Sequence, residues 1–389
     1  MHVDNKPFSL YVHIPYCISK CPYCDFNSHV VAQIPEAEYT NALLRELEHF
    51  GDMDDWKGRS IKSIFFGGGT PSTFKPQSIG KILAWAAATF PIEPDCEITL
   101  EANPGTVDHN NFFGYRDAGV NRISVGVQSF QPRLLKFLGR IHSADESRKA
   151  LEVVRHAGFG NFSFDLIYAN PGQTLQELQA DLDTALEFQS PHLSAYNLTF
   201  EEGTPFHHEY RSGKMRSLSE DEEIGMAELI ERTFEGVGLR RYEISNYARP
   251  GFHSRHNVNY WKGGDYLGLG AGAHSYKKMG TSGVLGRRWS NEKNPGRYIT
   301  AIREKGVAVT DSEDIGLAKA AGEFMFLGLR MIEGISADVF CNRFGRSPTE
   351  FYPQIDNWQE GRLIEEKEGF LRLTTKGLMV ANSIFVQFM

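Results

Sequence analysis

The chain alternates short apolar runs with helical patterns six times, and this alternation limits the possible fold more than any other feature. The runs read as strands over 8–14, 61–66, 96–101, 122–127, 162–167 and 192–198. Between and after them the spacing predicts helices over 36–50, 77–90, 108–118, 144–157, 175–188 and 220–237. Three of these helices open with capping boxes, Ser143/Glu146, Thr174/Glu177 and Ser219/Glu222, which satisfy backbone N–H groups at a helix start. Leu175, Leu178, Leu182 and Leu186 form one apolar stripe on the fifth helix, so it is expected to pack on a sheet. Repeated βα units with right-handed crossovers generate a parallel sheet. Six units do not close an eight-stranded barrel. The expected fold class is therefore α/β, an open, partial (β/α)6 barrel.

Beyond the sixth unit the pattern changes. From about residue 239, glycines and aromatics dominate, as in NYWKGGDYLGLGAGAHSY, and regular periods are hard to see. From residue 311 the spacing predicts a long helix over 313–332, short helices, a hairpin across 367–369 and a final helix over 375–388. That order suggests a small, mainly helical, winged-helix-like domain. The expected division is 1–238 for the partial barrel, 239–310 for a connecting region and 311–389 for the C-terminal domain.

Charge narrows the partners. Lys plus Arg number 41 against 49 Asp plus Glu, a net charge of −8, which argues against nucleic acid. The last 79 residues carry eight Lys/Arg against twelve Asp/Glu, so a docking or packing role suits that domain better than nucleic-acid binding. The apolar run over 82–90 is too short to span a membrane and reads as part of a helix. Association with a membrane through a partner stays open. Five cysteines in 389 residues, with no signal peptide at the start, predict a reduced, cytoplasmic protein.

Three of those cysteines carry the chemistry. Cys17, Cys21 and Cys24 fall in HIPYCISKCPYCDF, whereas Cys96 and Cys341 stand far away. Three thiolates can hold three irons of a 4Fe–4S cluster and leave the fourth iron to an outside ligand. The amino acid end of S-adenosylmethionine (SAM) is the obvious ligand, and this spacing is the signature of the radical SAM superfamily. A zinc site could use the same thiolates with His13, Asp25 or His29 as a fourth ligand, although structural zinc usually joins two separated knuckles.

Parallel βα folds bind ligands at the C-terminal ends of their strands. The cysteine loop follows the first strand, and Gly67-Gly68-Gly69-Thr70-Pro71 follows the second. Glycines let backbone amides approach a ligand closely, and a tight turn would use them equally well. Glu101 ends the third strand, Gln128 follows the fourth and Asp165 lies in the fifth. Buried carboxylates and amides there call for a polar ligand, or for ion pairs closing the barrel top.

Taken together, LYVHIPYCISKCPYCDF, FFGGGTPS, LEANP, SVGVQSF, LGRIH and FDLIYANPGQT resemble, in order, the blocks of the HemN/HemW family. This is the group of the oxygen-independent coproporphyrinogen III oxidases and their relatives. The resemblance implies that Cys17, Cys21 and Cys24 hold the cluster. It also implies that Tyr11, Tyr23, Gly68, Gly69, Thr70, Glu101, Gln128, Arg140 and Asp165 contact SAM. Arg140 suits a carboxylate because its planar fork can bind both oxygens. The oxidases carry a further cysteine two residues after the third, where this chain has Phe26, and a longer segment before the motif, where this chain has 16 residues. Both differences resemble the branch associated with haem binding and delivery. That branch implies haem as a third ligand and haem-accepting proteins, respiratory enzymes included, as partners. Decarboxylation of coproporphyrinogen III is the rival implication.

The segment Ser254-Arg255-His256-Asn257-Val258-Asn259-Tyr260-Trp261 is similar to the His-Asn-x-x-Tyr motif of that branch, in which the histidine is linked to haem. His256 offers an axial imidazole, Tyr260 and Trp261 offer aromatic faces, and Arg255 offers a propionate partner. The same residues could instead pack across the open side of the barrel.

Overall fold

A computed structural model describes residues 6–106, 109–281 and 283–389. The expected start of a helix at residue 108, and residues 1–5 of the expected barrel, lie outside the described residues. Six parallel strands lie side by side in chain order: β1 (Phe8–Ile14), β2 (Ile61–Gly68), β3 (Ile92–Ala102), β4 (Arg122–Gln128), β5 (Phe162–Tyr168) and β6 (His192–Asn197). The intervening helices include Glu36–Asp52, Pro76–Thr89, His109–Asp117, Ala144–His156 and Leu175–Glu187, with Glu220–Glu235 after β6. All three expected capping boxes form, each with both reciprocal hydrogen bonds. On the fifth helix Leu178 and Leu182 are buried, but Leu175 sits in the first turn and is exposed.

The strands divide their two faces by chemistry. Phe8, Leu10, Val12 and Ile14 of β1, and Ile123, Val125 and Val127 of β4, are buried in one core with Leu43, Leu47, Ile82, Leu151 and Leu182 from the helices. Alternate residues point to the opposite face of a sheet. There the buried positions are polar: Ser9, Ser63, Thr99, Arg122, Ser124, Ser163, His192 and Ser194. They bond to one another, with Ser63 Oγ donating to Ser9 Oγ at 2.7 Å and Arg122 Nη2 to Ser163 Oγ at 3.0 Å. A parallel sheet buried on both faces normally reads as unbroken apolar runs. Here the inner face is a polar lumen in which a site can be built.

The sheet continues beyond the six units at both edges. Next to β6 lie β7 (Arg240–Arg241) and β8 (Asn246–Ala248), and β8 pairs antiparallel to β6. Next to β1 lies β9 (Tyr266–Leu269), which is parallel to it, followed by β10 (His274–Thr281), β11 (Val284–Asn291) and β12 (Val309–Ile315) in antiparallel order. The result is an open twelve-stranded sheet in which the outer strands cover both edges of the barrel unit. A buried ion pair anchors β9. Arg59, 1% exposed, bonds Asp265 at 2.7 Å and lies over the Trp56 ring at 4.9 Å.

Two helices differ from expectation. The long helix expected over 313–332 is instead the end of β12 and then a helix over Leu317–Gly328. Strand β12 is exposed at every position but Ile315, so it lacks the two-residue burial period that identifies a strand. The final helix expected over 375–388 breaks at Val380, which caps both Thr375–Met379 and Ala381–Phe385 with φ −117°. The expected hairpin is present, with β14 (Ile364–Lys367) paired to β15 (Phe370–Leu373) and β13 (Ile335–Ser336) on the far side of β15. With its helices this forms a mainly helical C-terminal region around a second core that includes Phe340, Phe344 and Phe385.

Candidate functional site

The residues after β1 fold back so that Tyr16–Cys17 pairs with His29–Val30. Cys17 ends the first of these short strands, Cys21 and Cys24 lie in the loop they enclose, and all three are half-buried. The glycine loop packs against it: Gly69 N–H donates to Ile14 O and Thr70 N–H to Tyr16 O, both at 2.8 Å. Thr70 Oγ1 is 3.4 Å from Cys17 Sγ, and Arg140 Nη1 is 3.4 Å from Cys21 Sγ. Arg140 is fixed by its Nη2, which donates to Gly126 O at 2.8 Å.

Two glycines here are required by geometry. Gly68 has φ +111°, and a Cβ there would lie 2.5 Å from the His13 ring. A Cβ on Gly69 would lie 2.7 Å from Tyr16 O. Gln128 also has positive φ, +73°, where a register shift ends the β4–β5 ladder. Such a conformation in a residue other than glycine costs about 1–3 kcal/mol and concentrates at functional sites.

Cys17, Cys21, Cys24, Tyr23, Gly68, Gly69, Thr70, Glu101, Gln128, Arg140 and Asp165 all line one cavity of about 150 Å³. Tyr11 does not; it lines the neighbouring cleft, with its hydroxyl bonded to His13 Nδ1 at 3.0 Å. Burial, and then the nearby Asp165, pushes the Glu101 carboxyl up to about 8. Burial likewise pushes Asp165 up to about 6, against the lowering effect of Ser194, Arg122 and Arg140. Two crowded carboxyls of this kind favour a cationic or hydroxyl-rich ligand. Arg140 Nε is buried without a hydrogen-bond partner among the described residues. Among those residues no three His, Cys, Asp or Glu side chains converge on a point that one metal ion could occupy. A 4Fe–4S cluster asks for something else, one thiolate per iron.

His256 stands apart from the small cavity. It lies in the helix Arg255–Trp261, whose first amides are capped by Glu97: Arg255 N–H and His256 N–H each donate to that carboxylate at 3.1 Å. His256 is 1% exposed. Its Nδ1 is 3.0 Å from Ser63 Oγ and its Nε2 is 2.9 Å from Tyr260 Oη. Burial drives its pKa down to about 3, so the ring is neutral. Both ring nitrogens are engaged inside the polar lumen, and neither faces a ligand space. Arg255 is turned to Asp95 at 2.8 Å.

A much larger space adjoins the small cavity, a cleft of about 1570 Å³. Its walls are the cysteine loop, the ends of β1 and β2, residues on β10 and β11, and the helix Leu317–Gly328. The two spaces share Lys20, Phe26, Ser28, Gly68 and Glu101 as a common wall. Phe26 is 60% exposed at that boundary.

Comparison with known proteins assigns the family. Residues 11–185 match the Radical SAM superfamily, and residues 317–380 match the HemN C-terminal domain. The chain is 37% identical over 394 residues to the Escherichia coli (strain K12) protein named "Heme chaperone HemW", covering 100% of this chain and 99% of that one. A Bacillus subtilis (strain 168) protein of the same name is 35% identical over 383 residues, 98% of this chain and 99% of that one. The chain belongs to the HemW family. Among solved structures, that titled "Coproporphyrinogen III oxidase (HemN) from Escherichia coli is a Radical SAM enzyme" superposes with a TM-score of 0.81. It covers 98% of this chain and 90% of that one at 22% identity, a likeness of fold. The radical SAM fold, with its open sheet, is thus common to this HemW-family chain and that structure.

Sequence reasoning missed the cleft. Its residues come from β1, the cysteine loop, β10, β11 and the C-terminal helices. No local signal gathers them, because lining residues such as Tyr11, Tyr276, Phe324 and Tyr352 stand far apart in the chain.

Proposed function

We propose that this chain holds a 4Fe–4S cluster and SAM in the small cavity, takes up haem in the adjoining cleft, and delivers it to haem-requiring proteins of the cytoplasm or its membrane, respiratory enzymes among them. The observation that carries this reading is the gathering of the cysteine loop, the glycine loop, Glu101, Gln128, Arg140 and Asp165 around one cavity that shares a wall with a cleft of tetrapyrrole size. The residues present fit the groups. Cys17, Cys21 and Cys24 are thiol donors on one short loop. Gly68 and Gly69 leave backbone exposed where a side chain would collide. Arg140, with its unsatisfied Nε, suits the carboxylate of SAM, and Glu101 and Asp165 suit its cationic and hydroxyl groups. When bound and reduced, the cluster supplies the electron that cleaves a sulfonium. The protein's own part is to position, to exclude water and to hold charge.

The oxidase reading is disfavoured by Phe26. A phenyl ring stands at the boundary of the two spaces, where the oxidases have a cysteine, and it can neither ligate iron nor react as a thiol. The test is anaerobic reconstitution with iron and sulfide, followed by two assays in parallel. Titration with haem should give a saturable complex, and coproporphyrinogen III with SAM and reductant should remain unconverted. Steady conversion to the divinyl product by a protein that binds no haem would reverse the choice.

A further inference from the structure

We infer that Ser124 donates a hydrogen bond to the ligand of the small cavity, and that Arg122 sets the direction of this hydroxyl through Ser163. The inference rests on the SAM reading above and adds to it one contact and two positioning residues. Arg122 is 2% exposed, makes no ion pair among the described residues, and its Nε has no partner there. Its Nη2 donates to Ser163 Oγ at 3.0 Å, and Ser163 Oγ lies 2.9 Å from Ser124 Oγ. Ser163 is wholly buried, whereas Ser124 lines the small cavity. A buried cation is normally paired with a carboxylate. Here it faces a pair of hydroxyls, the second of which reaches the ligand space.

The donor inventory fixes the polarity of this chain. A guanidinium has donors and no acceptor, so Ser163 Oγ must accept from Arg122. Ser163 then needs an acceptor for its own hydrogen, and among the described residues its one other partner is Ser124 Oγ. In the opposite sense, the Ser163 hydrogen would be buried with no acceptor, which protein interiors rarely tolerate. The bonds therefore run from Arg122 to Ser163 to Ser124. Ser124 Oγ accepts, and its own hydrogen, with no partner among the described residues, is left for the cavity. Bonds aligned in this way polarise one another, so the charge at Arg122 strengthens the last donor. The register agrees with this placement. Ser124 pairs with Glu101 across β3 and β4 and with Ser163 across β4 and β5, so the three share a face, and Glu101 lines the same cavity. SAM carries oxygen acceptors on its ribose and on its carboxylate, and a hydroxyl donor suits either.

The test is calorimetric titration of SAM into the anaerobically reconstituted full-length protein. The variants are Ser124→Ala, Ser163→Ala, the double variant of both, and Ser9→Ala, a lumen serine that bonds Ser63 away from the cavity. Ser124→Ala should weaken SAM roughly two- to ten-fold, the worth of one hydrogen bond. Ser163→Ala should give a smaller loss of about two-fold, because the hydroxyl keeps its place but not its direction. In the Ser124→Ala background Ser163→Ala should cost nothing further, a coupling that a merely structural serine would not show. Ser9→Ala should bind as wild type does, and the cluster absorbance of each variant checks its folding. Competition with 5′-deoxyadenosine identifies the acceptor: the same loss assigns it to the ribose, and a loss confined to SAM assigns it to the carboxylate. Wild-type SAM affinity in Ser124→Ala overturns the contact, and equal losses from Ser163→Ala in both backgrounds overturn the relay, while SAM binding itself stands. A wild type that binds no SAM overturns both readings.

Discussion

Replacing Gly68 with alanine tests whether the glycine loop is as constrained as its geometry indicates. Two costs arise. The backbone sits at φ +111°, which an L residue adopts at about 1–3 kcal/mol. The new Cβ would also lie 2.5, 2.7 and 2.8 Å from Cε1, Nδ1 and Nε2 of His13, so the whole ring must move. That ring is held by the Tyr11 hydroxyl at 3.0 Å and by Asn27 O at 2.8 Å. Giving up both bonds costs about 0.5–1.5 kcal/mol each, and the sum is about 2–6 kcal/mol. With a urea m-value on the order of 3 kcal/mol/M, the midpoint should fall by roughly 0.7–2 M. SAM affinity by equilibrium dialysis should fall too, because the loop backbone faces the cavity. Gly225→Ala is the control. It lies within the helix Glu220–Glu235 with nothing within 4 Å of a new Cβ, and it should leave stability unchanged or raise it. A Gly68→Ala protein with the wild-type urea midpoint and wild-type SAM affinity would refute the reasoning.

Replacing Cys17, Cys21 and Cys24 with alanine should abolish iron and sulfide incorporation, while Cys96→Ala and Cys341→Ala should leave it whole; a triple variant with full cluster content would sink the ligand assignment. The carboxyl of Glu101, raised to about 8 in the folded protein, gives a pH signature. A raised carboxyl binds its proton in the folded state, so its contribution to stability is complete below the unfolded value of about 4.3 and is lost as pH climbs toward 8. Thermal melts of ligand-free Glu101→Gln should accordingly lose less stability than wild type between acid and mildly alkaline pH, and an identical slope would count against the burial of that group.

The parts of the molecule that repeat, or that sit in compact motifs, were legible in the sequence. Strand β1 falls at its expected limits, and the capping boxes mark helix starts at Ala144, Leu175 and Glu220, because both signals are local. The cysteine loop, the glycine loop, Glu101 and Gln128 were legible because they follow or end strands, and Asp165 because it is a carboxyl within one. Tyr23 and Arg140, the latter after the helix Pro132–Phe137, came only from the family resemblance. Strand β9 was not legible. Its partner β1 is more than 250 residues away in the chain, and GGDYLGLGAG has no alternation to announce an edge. Strand β12 was taken for helix because its exposed polar positions carry no burial period. For His256 the helical spacing brings Tyr260 onto the same face, four residues on, and this contact does form. Spacing alone does not say whether that face turns outward to a ligand or inward to Ser63.

Asn27 belongs to the cysteine loop, yet its side-chain amide donates to the carbonyls of Ala271, at 3.0 Å, and Lys293, at 2.9 Å, while its own carbonyl receives His13. One residue is thus a rivet between the loop around the small cavity and the turns that flank β10 and β11 beside the large cleft. Any occupant of the cleft that tugs on the 271–293 stretch pulls the loop bearing the thiols, and any occupant of the loop pulls back. Where such a tie links two binding events, the favour is returned in equal measure: the factor by which one ligand changes the affinity of the other is the same in both directions. Loading and unloading would then be two readings of a single mechanical connection.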